Sequence, residues 1–452
     1  MKHSLNLLRH IFLVFAAIFV WSCDRFLEVE PLDSVSDQVT IVDKVSAETA
    51  VRGMYRALAG NNYYGSSFQS IGYLSGDNIA RTGPGTDPSQ FINHEVTADN
   101  STVGSVWTAI YQTINRANHV ILKVPDVADI KLTESLKNQL VGEGYFIRAL
   151  SYFDLARTWG GAQLALLPTE SVTDKDGLKR SSLEETYAQV LKDLDEAEKR
   201  LPATTNRIRA TKKTVWALRA RLHLYKKEWS LAEEYATRLI ADPTYKIAAP
   251  YNSFWGNGVI ASAESILETS YSNTNQNSHR NSWQPPENGG TRTWVPNSAF
   301  LDLINNPEIG GNRSVLAAKT IGGLWYGTMY YRSPSIDPSY VLRLAELILI
   351  RAEARAELGG AAKFQEAVAD LNLIRTRAGV AAVTPADKAA LLLAIENERR
   401  LEFAYEPHRW FDLVRTGRAA AVLKVTDVNK TLLPIPIREL NADKALEQNP
   451  GY

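Results

Sequence analysis

The chain has 452 residues, with 50 Lys and Arg against 50 Asp and Glu, so its formal net charge is zero. This balance gives no electrostatic footprint for nucleic acid and no charge-based attraction to acidic lipids. Its single cysteine, Cys23, excludes a disulfide within the chain. Stability must therefore come from a large packed core, in one big domain or two merged ones.

The first 22 residues have the layout of a bacterial secretion signal. Lys2 and Arg9 come first, an apolar run extends from Ile11 to Trp21, and Ser22 precedes Cys23. The run is well under the roughly 20 residues that a helix needs to cross a membrane. Residues 1–22 are therefore predicted to be a removable signal peptide rather than a permanent membrane span.

The junction at Cys23 resembles the lipobox of bacterial lipoproteins, in which this thiol takes a diacylglycerol. Several acyl chains on one residue anchor a soluble domain stably. The alternative is an ordinary signal followed by a chance free thiol, which secreted proteins rarely keep. We expect lipidation at Cys23, with residues 23–40 forming an acidic leader that includes Asp24, Glu28 and Glu30.

From residue 41 onward the hydrophobic pattern is overwhelmingly helical, and strand-like alternation is scarce. Apolar residues recur at helical spacing before Gly160-Gly161 and again before Gly359-Gly360, which are typical helix stops. Further helices are predicted near 46–59, 103–123, 182–200, 211–226, 230–241, 363–377 and 385–405. The predicted fold class is all-α, with one helical half over 41–245 and another over 333–452.

Two of these helices form a candidate repeat unit. The residues that stand at spacings resembling a tetratricopeptide repeat are Trp216, Ala220, Trp229 and Ala232, with Pro243 near the usual closing proline. The match is partial, because His223 and Ala236 stand where large aromatics are commoner. One such pair cannot bury its own apolar face, so the pattern predicts several stacked pairs.

Residues 246–332 differ from the rest of the chain. They contain 11 asparagines, three Gly-Gly pairs, one Pro-Pro pair, and the tryptophans Trp255, Trp283, Trp294 and Trp325. Long loops in a compact protein are usually functional or disordered, and disordered segments are poor in aromatics. The segment is therefore predicted to be an ordered, functional set of long loops that rests on the helical body.

The C-terminal third carries two blocks of sequence that helix packing alone does not require. The first is ERRLEFAYE at 398–406 followed by HRWFDL at 408–413, and the second is LPIP at 433–436 followed by QNPGY at 448–452. With YFIRA at 145–149 and LRLAE at 342–346, these blocks closely resemble the SusD/RagB family of outer-membrane lipoproteins from Bacteroidetes-type bacteria. The resemblance spans the whole chain after Cys23.

The resemblance implies a helical fold built around tetratricopeptide-like pairs and held at the cell surface by its lipid. It implies a non-catalytic protein, without a cofactor, that acts as the lid of a SusC-like TonB-dependent outer-membrane transporter. Such proteins capture a nutrient, most often an oligosaccharide and sometimes peptides. The ligand of this chain stays open between these classes.

Charged residues in the blocks invite a catalytic interpretation. Glu398 and Glu402 lie one helical turn apart, as two carboxylates of a surface glycoside hydrolase could. The neighbouring arginines favour ion pairs that lock helices together instead. No histidine stands at metal-ligand spacing, and Asp174–Gly177 is only a fragment of a calcium loop, so no metal site is predicted.

The resemblance places ligand recognition on one face, formed by the loop after the first helix and by the irregular middle segment. The predicted ligand-binding residues are Tyr63, Tyr64, Asp77, Asn78 and Arg81 in the first region and Trp283, Trp294, Trp325 and Tyr326 in the second. Flat aromatic faces suit the C–H face of a sugar ring. Each tryptophan could equally be a local core plug, and a scaffold that binds only proteins is a third possibility.

Overall fold

The computed structural model of the chain describes residues 41–171 and 173–452. Residues 1–40 lie outside the described residues, so the predicted signal peptide, the lipidation of Cys23 and the acidic leader stay predictions. Within the described residues, no helix combines the length and the apolar content that a membrane crossing requires.

Helices dominate the described part of the chain. In chain order, α1 to α16 are Lys44–Leu58, Ser67–Leu74, Thr86–Asn93, Ser101–Lys123, Glu134–Trp159, Leu183–Arg200, Lys212–Tyr225, Trp229–Ile240, His279–Trp283, Ser298–Asn305, Leu344–Leu358, Ala361–Arg377, Lys388–Glu402, Arg409–Arg415, Ala419–Leu423 and Ile437–Ala442. The strands β1 to β6 are Ile79–Arg81, Ser265–Glu268, Trp294–Pro296, Ala317–Lys319, Trp325–Gly327 and Tyr340–Arg343. Short 3₁₀ turns occur at Val124–Asp126, Tyr251–Phe254, Gly256–Gly258, Pro286–Asn288, Gly311–Leu316 and Val428–Thr431.

Side-chain caps set where the long helices begin. Asp43 Oδ1 accepts from the Ser46 backbone N–H at 2.8 Å, which satisfies a free donor at the start of α1. Ser182 and Glu185 form a reciprocal capping box at the start of α6. At the other end, Gly160 stops α5 with φ of 85°, a conformation that glycine adopts at little cost.

The predicted repeat unit is the antiparallel pair α7–α8, which also packs on α11. Ala220, Ala232 and Ala236 are fully buried, so small side chains let the helices approach closely. His223 takes the place of the expected aromatic, because its ring stacks on Tyr235 with centroids 5.6 Å apart. The prediction of a mostly helical fold with tetratricopeptide-like helices is confirmed.

The middle segment is more structured than the predicted long loops. It contributes strands to three two-stranded antiparallel sheets, β1–β3, β2–β6 and β4–β5. Two of these pairings join it to segments far away in the sequence, which local periodicity cannot reveal. A continuous hydrophobic core runs through the helices before and after the segment.

A buried network of ions ties the C-terminal helices to this segment. Arg313 bonds Glu398 at 2.5 Å and Glu402 at 2.7 Å, and Arg343 bonds Glu402 at 2.7 Å. Burial alone would raise the pKa of Glu402, but Arg377, Arg343 and Arg313 outweigh it and hold that pKa at about 2. The ion-pair interpretation of Glu398 and Glu402 is confirmed, since both carboxylates pair with arginines of neighbouring helices and loops.

Candidate ligand-binding site

The aromatic pair after α1 belongs to the core. Tyr63 and Tyr64 are both 0 % exposed, and their hydroxyls donate to Asp154 Oδ2 at 2.7 and 3.0 Å. Burial raises the pKa of Tyr63 well above its ordinary value. The expectation that these two rings form a ligand surface is therefore corrected: they fill the space between α1, α2 and α5.

The polar residues that follow are engaged with the C-terminal helices. Asn78 is buried, donates to the Arg400 carbonyl at 3.0 Å and accepts from Arg400 Nε at 2.8 Å. Asp77 Oδ1 accepts from Arg409 Nε at 2.7 Å. Burial tends to raise the pKa of Asp77, but Arg409 and Arg400 lower it overall. Asp77 and Asn78 therefore fasten β1 to α13 and α14 instead of offering free groups to a ligand.

Two of the predicted tryptophans are also buried. Trp283 is 0 % exposed, and its ring centroid lies 4.4 Å from that of Tyr405. Gly327 lies against it so closely that a Cβ there would stand 2.5 Å from the indole. Trp294 is 8 % exposed in β3, opposite Arg81 of β1. Trp283 is therefore a core residue, and Trp294 exposes only a small part of its surface.

Trp325 and Tyr326 stand on the β4–β5 hairpin, and both are half-buried. Lys319, the strand partner of Trp325, holds its Nζ 4.7 Å from the centre of the Trp325 ring. Arg292 Nε donates to the Trp325 carbonyl at 2.8 Å and ties the hairpin to the end of the preceding loop. The hairpin thus carries two half-buried aromatic side chains, and as consecutive strand residues they point to opposite faces of the hairpin.

A cleft of about 450 Å³ opens beside the hairpin. Its lining residues are Arg280, Gln284, Asn288, Tyr326, Thr328 and Tyr331. We call it the Tyr326 cleft. It combines two tyrosine rings with guanidinium, amide and hydroxyl groups, which is the mixture that a polar ligand with flat apolar faces requires.

Internal hydrogen bonds fix the floor of the Tyr326 cleft. Gln284 Nε2 donates to the carbonyls of Gly327 and Tyr330, each at 3.0 Å, and Gln284 Oε1 accepts from Asn288 at 2.9 Å. Arg280 Nε donates to the Tyr331 carbonyl at 3.2 Å. The side chains are thereby held in place before any ligand arrives, which lowers the entropic cost of binding.

The first predicted region reaches the same edge through β1. Thr82, next to Arg81, donates its backbone N–H to the Thr293 carbonyl at 2.9 Å, and β3 packs against β5. Arg81 is half-buried and donates to the Gly85 carbonyl at 2.6 Å. Of the nine predicted residues, Asp77, Arg81, Trp325 and Tyr326 are half-buried, and the side chain of Asp77 is paired with Arg409. Trp294 of β3 lies between β1 and β5.

Sequence reasoning missed most of the cleft lining. Tyr331 carried a usable signal, because Tyr330-Tyr331 is an aromatic pair in the same segment as the selected tryptophans. Arg280, Gln284, Asn288 and Thr328 carried none, since nothing local distinguishes them from other loop residues. They meet only because α9 and the residue after it bond the loop that follows the hairpin, through the Tyr330 and Tyr331 carbonyls.

A larger cavity of about 660 Å³ lies among α7, α8, α11, α13 and α14, with Trp229 at one side. Its carboxylates are already paired: Glu353 with Arg415 at 2.5 Å, and Asp412 with Arg399 at 2.8 Å. We prefer the Tyr326 cleft because its polar groups are not consumed by ion pairs. Among residues 41–171 and 173–452, no group of three or more His, Cys, Asp and Glu is arranged to hold a metal ion.

The chain is similar in sequence and in structure to known proteins. "SusD-like protein P38" of Formosa agariphila is 27% identical over 495 aligned residues, which cover 95% of this chain and 96% of the relative. A SusD superfamily protein from Bacteroides vulgatus superposes with a TM-score of 0.81 at 21% identity, covering 90% of this chain and 99% of that one. A "laminarin binding SusD-like protein" superposes with a TM-score of 0.77 at 24% identity, covering 91% and 100%.

Two family models also match the chain. A model described as "starch-binding associating with outer membrane" matches residues 25–224. The SusD family model matches residues 141–424, which is well over half of the chain and includes the ERRLEFAYE and HRWFDL blocks. The protein therefore belongs to the SusD family, a family of non-catalytic binding proteins.

Proposed function

We propose that this protein captures an oligosaccharide in the Tyr326 cleft and delivers it to a SusC-like TonB-dependent outer-membrane transporter. It is held at the outer surface of the membrane by lipid on Cys23. The observation that carries the proposal is the β4–β5 hairpin, which presents Tyr326 to a cleft whose amide, hydroxyl and guanidinium groups form no ion pairs with other described residues and carries Trp325 next to it in the strand.

The chemistry of the cleft suits a sugar. Aromatic rings cover the apolar face of a pyranose with few rotatable bonds to freeze, and the surrounding amide, hydroxyl and guanidinium groups bond its hydroxyls. The similar structure described as laminarin-binding supports the choice of a glycan over a peptide. Peptide capture through the same cleft is the competing outcome of the test below.

The test is calorimetric titration of purified protein with a panel of neutral and anionic oligosaccharides and of short peptides. We expect Trp325→Ala and Tyr326→Ala each to lose about 1–3 kcal/mol of binding free energy, the scale of an aromatic anchor. Both rings are half-buried, so melting temperatures should change little.

Trp229→Ala is the matched control, because Trp229 is also half-buried but lines the larger helical cavity. It should leave oligosaccharide affinity unchanged. If Trp229→Ala abolishes binding while Trp325→Ala and Tyr326→Ala do not, the site is the helical cavity and not the Tyr326 cleft. Binding of peptides alone would replace the glycan with a peptide ligand.

A further inference from the structure

Tyr331, which lines the Tyr326 cleft, has each of its polar groups bonded to the protein. Its backbone N–H donates to Asp337 Oδ2 at 2.7 Å, and its carbonyl accepts from Arg280 Nε at 3.2 Å. Its phenolic oxygen accepts from the Gly258 backbone N–H at 3.0 Å. Backbone and side chain are therefore fixed before a ligand arrives, which lowers the entropic cost of binding.

The bond from Gly258 decides which role the Tyr331 hydroxyl has left to play. A phenolic hydroxyl both donates one hydrogen and accepts. The oxygen of Tyr331 already accepts the Gly258 N–H, whereas its hydrogen has no acceptor among the described residues. Tyr331 is half-buried, so this hydroxyl is not sealed in the core. What it offers to a ligand in the cleft is therefore a hydrogen-bond donor.

Gly258 belongs to a strained loop, residues 256–261, which we call the Gly258 loop. Asn257 has a φ of 53° and Ala261 a φ of 50°. This left-handed region costs free energy for residues other than glycine, and alanine tolerates it less well than asparagine does. Strained backbone persists only where the surrounding structure enforces it, and it is concentrated at functional sites such as ligand clamps. The Gly258 loop is therefore a candidate part of the site.

Two buried charged side chains hold the Gly258 loop in this conformation. Arg332 Nη2 donates to the Val259 carbonyl at 2.5 Å and to the Trp255 carbonyl at 3.2 Å. Glu268 Oε1 accepts from the Ala261 backbone N–H at 2.6 Å. Glu268 is 2 % exposed and Arg332 is 9 % exposed. Hydrogen bonds to charged groups are stronger than those between neutral groups, so the two side chains can hold the strained backbone in place.

Arg332 also connects the Gly258 loop to the ring of Tyr331. Its guanidinium carbon lies 5.9 Å from the centre of that ring. Its Nε lies 3.3 Å from Oδ1 of Asp337, the carboxylate that accepts from the Tyr331 backbone N–H. Arg332 is not among the lining residues of the cleft. A change at Arg332 should therefore reach a ligand through Tyr331 and the loop.

We propose that Tyr331 is a specificity-determining hydrogen-bond donor of the Tyr326 cleft, which gives its hydroxyl hydrogen to an oxygen of the bound oligosaccharide. Arg332 and the Gly258 loop position that hydroxyl. A site built to bond one polar group rejects an analogue that lacks it, because the site's own group is then left unpaired. This inference rests on the proposed glycan-capture function and names a residue that recognises the sugar oxygens.

The first test is calorimetric titration of Tyr331→Phe, which removes the hydroxyl and keeps the ring. The probe is a laminarin fragment, or the oligosaccharide of the panel that the wild type binds more tightly. We expect affinity to fall about fivefold, the scale of one neutral hydrogen bond. The melting temperature should change little, because the lost bond to Gly258 is exposed to solvent. Tyr235→Phe, at a half-buried tyrosine of α8, is the matched control and should keep wild-type affinity.

A double-mutant cycle separates positioning by Arg332 from a purely structural role. Arg332→Gln should weaken binding of the same probe about threefold, and Arg332→Lys should recover part of that loss. In the Tyr331→Phe background Arg332→Gln should have no further effect, because the hydroxyl that it positions is gone. Arg180→Gln is the control, since Arg180 also bonds two backbone carbonyls, those of Trp159 and Gly161 at the end of α5. It should leave affinity unchanged in both backgrounds.

Amide hydrogen exchange without ligand tests the loop independently of any sugar. The Gly258 amide should exchange faster in Tyr331→Phe and in Arg332→Gln than in the wild type, because each variant loses a contact that orders the loop. Unchanged exchange in both variants overturns the positioning role, as do additive losses of affinity in the cycle. This measurement and Tyr331→Phe decide the matter even if Arg332→Gln fails to fold.

The outcomes also distinguish the donor role from the function on which it rests. Wild-type affinity in Tyr331→Phe, together with loss of binding in Tyr326→Ala, overturns the donor role and keeps the glycan site. Binding of no oligosaccharide by the wild-type protein overturns the proposed function, and the donor role with it.

Discussion

At the scale of single residues, Trp283 and Trp325 show how one residue type serves two purposes within the same segment. Trp283 is fully buried against Tyr405, whereas Trp325 keeps part of its ring at the surface beside Lys319. Trp283 supports the hairpin from below through its contact with Gly327. The buried Trp283 ring supports the hairpin structurally, and the partly exposed Trp325 ring is available to a ligand.

Trp283→Ala should therefore act on stability. Deleting a buried large aromatic costs about 3–5 kcal/mol, because transfer free energy is lost and a cavity remains. Urea denaturation should show this loss, while Trp325→Ala stays within about 1 kcal/mol of wild type. Equal stability of the two variants would contradict the assignment of Trp283 to the core.

His279 makes stability depend on pH. Its ring is fully buried, stacks on Tyr330 with centroids 4.2 Å apart, and places Nε2 3.1 Å from Ser339 Oγ. Burial lowers the pKa of His279 to about 4, and the contact with the Tyr64 carbonyl offsets this only in part. The unfolded chain, with a histidine pKa near 6.5, therefore binds the proton more readily than the folded chain does.

Between pH 6.5 and 4 the unfolded state binds more protons at this residue, so stability rises with pH across that window. The full contribution, about 3 kcal/mol from His279, is present above pH 6.5 and is lost as the pH falls toward 4. His279→Gln should flatten the dependence of the urea midpoint on pH between 7.5 and 5. A residual slope of the same sign is expected from His408, since burial and then neighbouring arginines lower its pKa well below the ordinary value. Parallel slopes for wild type and variant would exclude His279 as the source.

At the scale of elements, the turn after the long helix α5 depends on the close approach of two backbone segments. Gly160 ends the helix, and a Cβ on Gly161 would stand 1.7 Å from the Ser181 carbonyl oxygen. The Ser181 backbone N–H donates to the Ala162 carbonyl at 2.9 Å, which holds the two segments together. The Gly-Gly pair thus stops a helix and also allows the chain before α6 to lie against it.

Gly161→Ala should destabilise the protein by about 3 kcal/mol, because the backbone segments must separate to admit the methyl group. Gly104→Ala is the matched control: it lies in α4, where a Cβ would meet only Pro436 at 4.0 Å. Alanine there should stabilise the helix by about 0.5–1 kcal/mol. Thermal and urea unfolding of the two variants measure both effects. A Gly161→Ala variant as stable as wild type would show that the backbone after α5 can move to admit the methyl group.

At the scale of the whole molecule, the proposed lipid anchor and transporter partner predict where the protein is found in the cell. We expect wild type expressed in its native cells to incorporate labelled fatty acid and to co-purify, in mild detergent, with a large TonB-dependent β-barrel. A stable lid needs an interface of at least about 1,000 Å². Cys23→Ala should lose the label and leave the outer-membrane fraction. Equal labelling of the variant would refute the anchor, and a lone wild-type monomer after gentle extraction would refute the partner.

Much of this molecule follows from the sequence by itself. Helix hydrogen bonds join residues four apart, so apolar periodicity and caps reveal α1, α4, α6 and the α7–α8 pair locally. The ERRLEFAYE and HRWFDL blocks, with the LPIP, QNPGY, YFIRA and LRLAE segments, indicated the family from the sequence alone. In the structure, Glu402 of ERRLEFAYE pairs with Arg313 and with Arg343 of LRLAE, and Arg399 of ERRLEFAYE pairs with Asp412 of HRWFDL. The net charge and the single cysteine are also read directly from the sequence.

Only the tertiary structure decided which residues can meet a ligand. Tyr63 and Tyr64 looked like loop aromatics, but Asp154, some 90 residues away, receives both hydroxyls in the core. Trp283 and Trp325 lie in the same irregular segment of the sequence, yet Trp283 is fully buried and Trp325 is only half-buried. Arg280 and Tyr331 enter the same cleft only after α9 and the hairpin pack together. Burial depends on contacts between distant segments, and no local pattern encodes those contacts.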